Sequence, residues 1–459
     1  MPDLARIQSI VVARPPERSA AILVLRFGAV EGARTLLGWI LDRTPAASGG
    51  AVRGAAVMHP SLTWSGIAQL ARDLDGLDPA TGAEALEPWF VAPLPTHPVE
   101  LGFVGESAPD LWWEGRWSSA DADMTVHVLA ADDDALDLAV AALRAEAERN
   151  GVAELSLAGF AGGALRGRVP SDGVLHFGYR DGITRPAIDW AGEGSAPVDF
   201  REILLGYPSE DYPISPVAPG PWQDFVRDGT IGCILWIEQH VHAFEQFLDD
   251  TVAAVRGVAP EGLEREWIAS RILGRWRNGS PVTRWPDEPP AAADTDDAFG
   301  FADDPDGARC PLAAHIRLVN PRDDRLTPPL RAKFPKGPPR LIRRGFAYGP
   351  PIAGPAPDGV PRGLVGVFFG ARLNEQHRSV LRWMQATTIN DRFGRAPYSG
   401  TMQDGLCGVR GKPGADPRHV LPREGGAVEM RLRDFITFRG ALHVLTASLP
   451  SLERLATGR

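Results

Sequence analysis

The sequence predicts an α+β protein of two ferredoxin-like domains, each an antiparallel sheet with helices packed on one face. Three observations predict it. In the first half, apolar runs of strand length and amphipathic helical stretches follow one another as β, α, β and then again as β, α, β. The second half repeats that order. The length of 459 residues exceeds what one ordinary core serves and suits two domains of roughly 200 residues each.

In chain order, AAILVLRF (20–27) is an apolar run that reads as a buried strand. The helical pattern EGARTLLGWILD follows, and the apolar run around AVRGAAVM (51–58) supplies a second strand. MTVHVLA (124–130) is a third. Asp132, Asp133 and Asp134 then place acids at the positive end of a helix, which carries Leu136, Val140, Leu143 and Ala147 on one face and stops at Asn150-Gly151. AELSLAGF (153–160) reads as the strand after it. In the second half, IGCILWIEQ (231–239) feeds the helix HAFEQFLDDTVAAV, LVGVFFGARL (364–373) feeds NEQHRSVLRWMQATT, and DFITFRG (434–440) is the final strand. The expected division is residues 1–205 and 206–459. Within the second domain, 257–363 has little periodicity and many Gly, Pro and Asp residues, and loops that long usually carry function.

Composition narrows the function. Hydrophobic residues at 44% and charged residues at 23% are globular values, and a net charge of -10 argues against a nucleic-acid partner. Cys233, Cys310 and Cys407 are an odd number with no CxxC pair, which predicts inert thiols rather than a disulfide framework or a zinc knuckle. The opening MPDLARIQSI carries no export pattern, so cytoplasmic residence is expected. No apolar run is long enough to predict a membrane-spanning helix.

Three segments can carry chemistry. His315, in ARCPLAAHIRLVNPR, is flanked by Leu312, Ala313, Ala314 and Ile316, so its imidazole can project from an apolar wall as an axial ligand or sit as a satisfied core residue. In PRLIRRGFAYGP, Arg343 and Arg344 can send one guanidinium inward and the other to solvent. In HFGYRDGITRP, Gly178 and Gly182 flank Asp181 and permit a tight turn. Other features point to less. His240 and His242 lack a third metal donor nearby and are read as solvated strand-end residues. GFAGGAL lacks the glycine order of a dinucleotide site and reads as a loop. Tyr348 and Trp383 are either surface electron relays or core aromatics.

HFGYRDGITRP resembles the GxxDG segment of the dye-decolourising peroxidases, and CPLAAHIRLVNPR resembles their proximal-histidine segment, in family order. ESAPDLWW, ILLGYP…YPISP, GRWRNGSPV, FGFADDPDG, RLIRRGFAYGP, RGLVGVFFGARLNEQ and DFITFRG extend the resemblance from about Gly102 to Pro450. It implies a haem b peroxidase that reduces hydrogen peroxide and oxidises an organic donor such as a dye or a phenolic, with the haem held mainly by the C-terminal domain of a dimeric α+β barrel-like fold. His315 is then the iron ligand, Asp181 the distal acid and Arg343 the distal arginine, with Arg344 the alternative. Asp404 is the partner of the ligand histidine in preference to Asp391. The alternative within the resemblance is a haem carrier or deferrochelatase-like protein with incidental peroxidase activity, and a homo-oligomer is compatible with it. The chain departs from the family at RGALHVLTASLPS, where smaller residues replace aromatic ones, and SLERLATGR shows no apolar docking tail.

Overall fold

The computed structural model describes all residues except 14–15, 50–55, 95, 210–214, 325, 355, 386, 389–400 and 424–425. Its main element is a ten-stranded sheet. The strands that matter below are β1 (Ser19–Arg26), β2 (Val57–Leu62), β3 (Met124–Ala130), β4 (Leu165–Arg168), β5 (Thr230–Gln239), β6 (Ile342–Arg343), β7 (Phe346–Tyr348), β8 (Gly363–Gly370) and β9 (Ile436–Thr446). They run β7-β4-β1-β3-β2-β9-β5-β8-β6, and a second pairing of β7 with β8 closes the order on itself. The α+β class therefore holds, with the antiparallel sheets of the two halves joined edge to edge into a barrel. One joint is the pair Leu62 and Leu445, and the other is Ala347 opposite Arg168. Closure leaves few exposed strand edges, which removes the usual template for aggregation.

Strand β1 shows why its run is uniformly apolar. Ala20, Ile22 and Val24 enter one core while Ala21, Leu23 and Leu25 enter the other. The second core is capped by α1 (Val30–Leu41), which buries Ala33, Leu36, Leu37 and Ile40, and by α2 (Asp133–Arg149), which buries Leu136, Val140, Leu143 and Ala147. The Asp132 side chain accepts the Ala135 N–H at 2.9 Å, and Gly151 beyond the C-cap takes φ +66. In the second half, α3 (Val241–Thr251) follows β5, and α6 (Ser379–Gln385) follows β8 after one π-helical stretch, Leu373–Arg378.

Three expectations need correction. AELSLAGF contributes only Ala153–Glu154 to the sheet, because β4 takes over the same edge of β1 from Ser19 to Ile22. The last strand runs on to Thr446, past a register shift between Phe438 and Gly440 that hides its continuation from a period-two reading. The interval 257–363 contains a ten-residue helix, α4 (Glu264–Leu273), as well as the short strands β6 and β7. Six successive residues of α4, Trp267 to Ile272, are buried after a charged and partly exposed first turn, so its burial follows no helical period and leaves no amphipathic signature.

His59 and His127 face one another across β2 and β3 inside the core. Burial drives both imidazoles down to about 3, so both are neutral in the folded protein. Below the unfolded value of about 6.5 the unfolded chain binds the extra protons, so stability falls with pH from there toward 3, by about 1.4 kcal/mol per pH unit for each histidine. The urea midpoint is expected to drop between pH 7 and pH 5, and His127→Leu to flatten that dependence. An unchanged slope in the variant would exclude this origin.

Candidate active site

His315 opens the short helix α5 (His315–Val319), directly after buried Leu312, Ala313 and Ala314. A quarter of its side chain stays exposed. Its Nδ1 lies 2.9 Å from Oδ2 of Asp404, which is fully buried. Facing a carboxylate, Nδ1 carries the proton and donates it, which leaves Nε2 for another partner. The second carboxylate oxygen accepts the N–H groups of Leu406 and Cys407 at 2.9 and 2.8 Å. The Asp404 N–H donates to the Met384 carbonyl at 2.8 Å, and the Gly405 N–H to that of Ala313 at 2.9 Å, so this loop is tied to the segment leading into His315. Burial acts against a charged imidazole, but the Asp404 carboxylate, followed by Cys407, outweighs it and holds the His315 pKa well above its usual value. Burial likewise acts to raise Asp404, and His315 with the two amides brings it below the usual carboxylate range. The imidazole and the carboxylate are both charged, and an electrophile at Nε2 displaces the proton there while Nδ1 keeps its own, donated to the Asp404 carboxylate.

Asp181 sits in a turn that glycine makes possible: Gly178 and Gly182 take φ +83 and +79. The Asp181 N–H donates to the Gly173 carbonyl at 2.7 Å, and the Tyr179 hydroxyl donates to the Ala269 carbonyl of α4 at 2.7 Å. The Asp181 Oδ1 lies 3.5 Å from Nη1 of Arg343, and both side chains are partly exposed. Arg343 also reaches the Thr184 carbonyl at 3.4 Å. Arg344 points elsewhere. Its Nε donates to the Ile10 carbonyl at 2.7 Å and its Nη2 to that of Val11 at 3.2 Å, so it braces the N-terminal segment, and Arg343 is the more exposed of the two.

Helix α4 is the common support. Besides the Tyr179 hydroxyl, it receives the His419 ring, whose Nε2 lies 3.2 Å from the Arg271 carbonyl, and His419 packs beside Gly405 in the Asp404 loop. A second support lies under α5. The guanidinium of Arg317, fully buried, makes a two-point contact with Asp324 at 2.7 and 2.8 Å, and reaches the Asp304 carboxylate at 3.2 Å and the carbonyls of Cys310 and Asp304 at 2.6 and 2.8 Å. Sequence reasoning passes over Arg317, Asp304 and Asp324. The available signal is a charged residue inside the apolar stretch from Leu312 to Leu318, with acids on both sides of it. It also passes over Arg410, whose Nη2 donates to the Asp404 and Gly405 carbonyls at 2.8 and 3.1 Å.

Asp391 lies outside the described residues. Tyr348 and Trp383 are buried, so neither is a surface group, and Trp383 packs edge-on to Phe334. His240 follows the end of β5, but His242 lies in the first turn of α3, and both are half-buried instead of solvated, with His240 Nε2 lying 2.8 Å from the Thr437 hydroxyl and His242 3.9 Å from Asp358. Cys233 and Cys310 are buried and Cys407 is half-buried.

No sequence-family profile matches the chain. Over 228 residues, 44% of this chain and 40% of the relative, it is 33% identical to a dye-decolorizing peroxidase of Mycena epipterygia. Over 372 residues, 75% of this chain and 73% of the relative, it is 26% identical to a multifunctional dye peroxidase of an Amycolatopsis species. The alignments with the Mycena protein and two further fungal peroxidases, at 32–33% identity, span about two fifths of those proteins' length or less. In structure, a mutant of the Pleurotus ostreatus dye-decolorizing peroxidase superposes with a TM-score of 0.78 at 21% identity, covering 99% of each chain. A fungal enzyme of the same type from Auricularia auricula-judae gives 0.75 at 17% identity, again over 99% of each chain. The chain is therefore similar in sequence to dye-decolorizing peroxidases and shares the fold of their solved structures.

Proposed function

We propose that this chain is a haem b peroxidase that reduces hydrogen peroxide and oxidises organic donors such as dyes or phenolics. The residues present fit such a group: His315, with Nδ1 committed to Asp404 at 2.9 Å, offers Nε2 as a single axial donor. When bound, haem supplies the redox-active iron that takes oxidising equivalents from peroxide and passes them to a donor. In this reading residues 1–205 contribute the distal acid and residues 206–459 the axial histidine.

The observation that carries the reading is the second pair, Asp181 and Arg343, 3.5 Å apart. Splitting the peroxide O–O bond requires a proton to leave the inner oxygen and reach the outer one, and a carboxylate can take and return it. The departing oxygen gathers negative charge, which a guanidinium stabilises without losing a proton of its own. A haem carrier needs the axial histidine and has no use for this pair, so the pair favours chemistry over transport. Asp404 has a different task. By accepting the Nδ1 proton it fixes the ring orientation of His315 and makes Nε2 a stronger donor.

The test is stopped-flow mixing of the haem-reconstituted protein with hydrogen peroxide. Asp181→Asn and Arg343→Leu are each expected to slow the spectral change by about 100-fold or more, the usual size of losing a preorganised group at a developing charge. Arg344→Leu should leave that rate nearly unchanged and loosen the N-terminal segment. A larger loss for Arg344→Leu than for Arg343→Leu would reverse the assignment, and full reactivity of both Asp181→Asn and Arg343→Leu would remove the peroxidase reading. Asp404→Ala is expected to weaken haem binding by about 10- to 100-fold, the range found when a ligand histidine loses its carboxylate, as measured by haem transfer to a competing haem acceptor.

A further inference from the structure

Away from His315, three ligating side chains from three elements meet in the sheet. Cys233 lies on β5 and His443 directly opposite it on β9. His377 comes from the π-helical stretch after β8. A sulfur and two ring nitrogens, one from each residue, all lie within 4.8 Å of one another, and among the described residues no fourth His, Cys, Asp or Glu joins them. The proposed function uses none of the three.

Their hydrogen bonding leaves the donors free. The His443 Nδ1 faces the Trp89 carbonyl at 2.7 Å, so Nδ1 carries the proton and Nε2 holds a lone pair. The His377 Nε2 is buried without a hydrogen-bond partner, in a residue 5% exposed. That is a costly arrangement unless something occupies the nitrogen, since a buried polar atom without a partner has lost its hydration with nothing in return. Cys233 is fully buried, and its thiol meets no better acceptor than the neighbouring Ile234 carbonyl at 3.6 Å. The two imidazoles stand perpendicular with centroids 6.1 Å apart, and the Phe368 ring closes on His377 at 5.6 Å.

We propose that Cys233, His377 and His443 form a three-coordinate site for a cuprous ion. Donor type and charge both select it. A thiol and two imidazoles are soft-to-borderline ligands that suit Cu(I) or Zn(II). Structural zinc sites are almost always closed by four protein donors, and among the described residues only three meet here. Charge decides in the same direction, because one thiolate and Cu(I) sum to zero, whereas Zn(II) would leave an unbalanced positive charge in the core. Metal–nitrogen bonds of about 2.0–2.1 Å and metal–sulfur bonds of about 2.3 Å set three donors roughly 3.5–4 Å apart, so small side-chain rotations close the site. Binding breaks the Cys233 S–H bond and forms S–Cu, and the proton leaves to solvent with no change of oxidation state.

The experiment is an anaerobic titration of the whole protein with Cu(I), supplied as its acetonitrile complex against bathocuproine disulfonate, followed by X-ray absorption of the loaded protein. One equivalent retained against the chelator, with one sulfur and two nitrogens around copper, is the expected result. Cys233→Ser and His377→Gln should each lower retention from one equivalent to none, while Cys407→Ala keeps it; circular dichroism identifies any variant that fails to fold. Because the parent protein needs no substitution to be read, its failure to hold copper, a copper shell without sulfur, or copper retained by folded Cys233→Ser would each overturn the proposal. So would tetrahedral Co(II) or Zn(II) binding at these residues in the absence of Cu(I) binding.

Discussion

Replacing His315 by Ala is expected to abolish haem retention. The imidazole is the only axial donor assigned to the iron, and Asp404, 2.9 Å from its Nδ1, cannot take its place while Leu406 and Cys407 hold the other carboxylate oxygen through their N–H groups. Haem added to the variant should separate from it on desalting, with loss of the Soret band, whereas the parent retains one equivalent. Free imidazole should restore part of the band by filling the space the side chain leaves. His240→Ala and His242→Ala should retain haem like the parent, since His240 caps α3, His242 lies in its first turn, and neither belongs to the His315 segment. An unchanged Soret spectrum and haem content in His315→Ala would sink the assignment.

Replacing Arg317 by Met is expected to destabilise the protein by about 3–5 kcal/mol, the usual cost of stranding buried charges by removing one partner. Arg317 is fully buried, and without it Asp304 and Asp324, themselves buried, lose the cation that neutralises them. Its guanidinium also holds the carbonyls of Asp304 and Cys310, so the chain entering α5 loses its anchor just before His315. Urea unfolding should show the drop in midpoint, and haem affinity should fall with it. The contrast is Arg433, whose pairing with Asp250 is half exposed to water on both sides. Arg433→Met is expected to cost less than about 1 kcal/mol, as exposed ion pairs do. Equal effects of the two substitutions would show that burial of the Arg317 cluster does not set its contribution.

The order of strands and helices was legible in the sequence wherever local periodicity and burial agree. MTVHVLA is a strand over the expected residues, and the helix after Asp132 buries the four residues its period selects. The relationship to the dye-decolorizing peroxidases was legible for a similar reason, since short motifs keep their order along the chain. What the sequence could not determine are the arrangements set by packing between distant segments. Helix α4 is buried over six successive residues, so it has no stripe to read, yet it supports both the Asp181 turn and the Asp404 loop. Arg343 and Arg344 are neighbours of equal chemistry, and only the pairing of β6 with β8 and the position of the Ile10 and Val11 carbonyls turn one toward Asp181 and the other away. His315 and Asp404 are 89 residues apart, as no local pattern records, and their contact exists because the Gly405 and Asp404 amides are tied to Ala313 and Met384. Periodicity acts over a few residues and determines which face of an element is apolar; the fold alone decides which of those faces, and which charged side chains at their rims, come within hydrogen-bond distance.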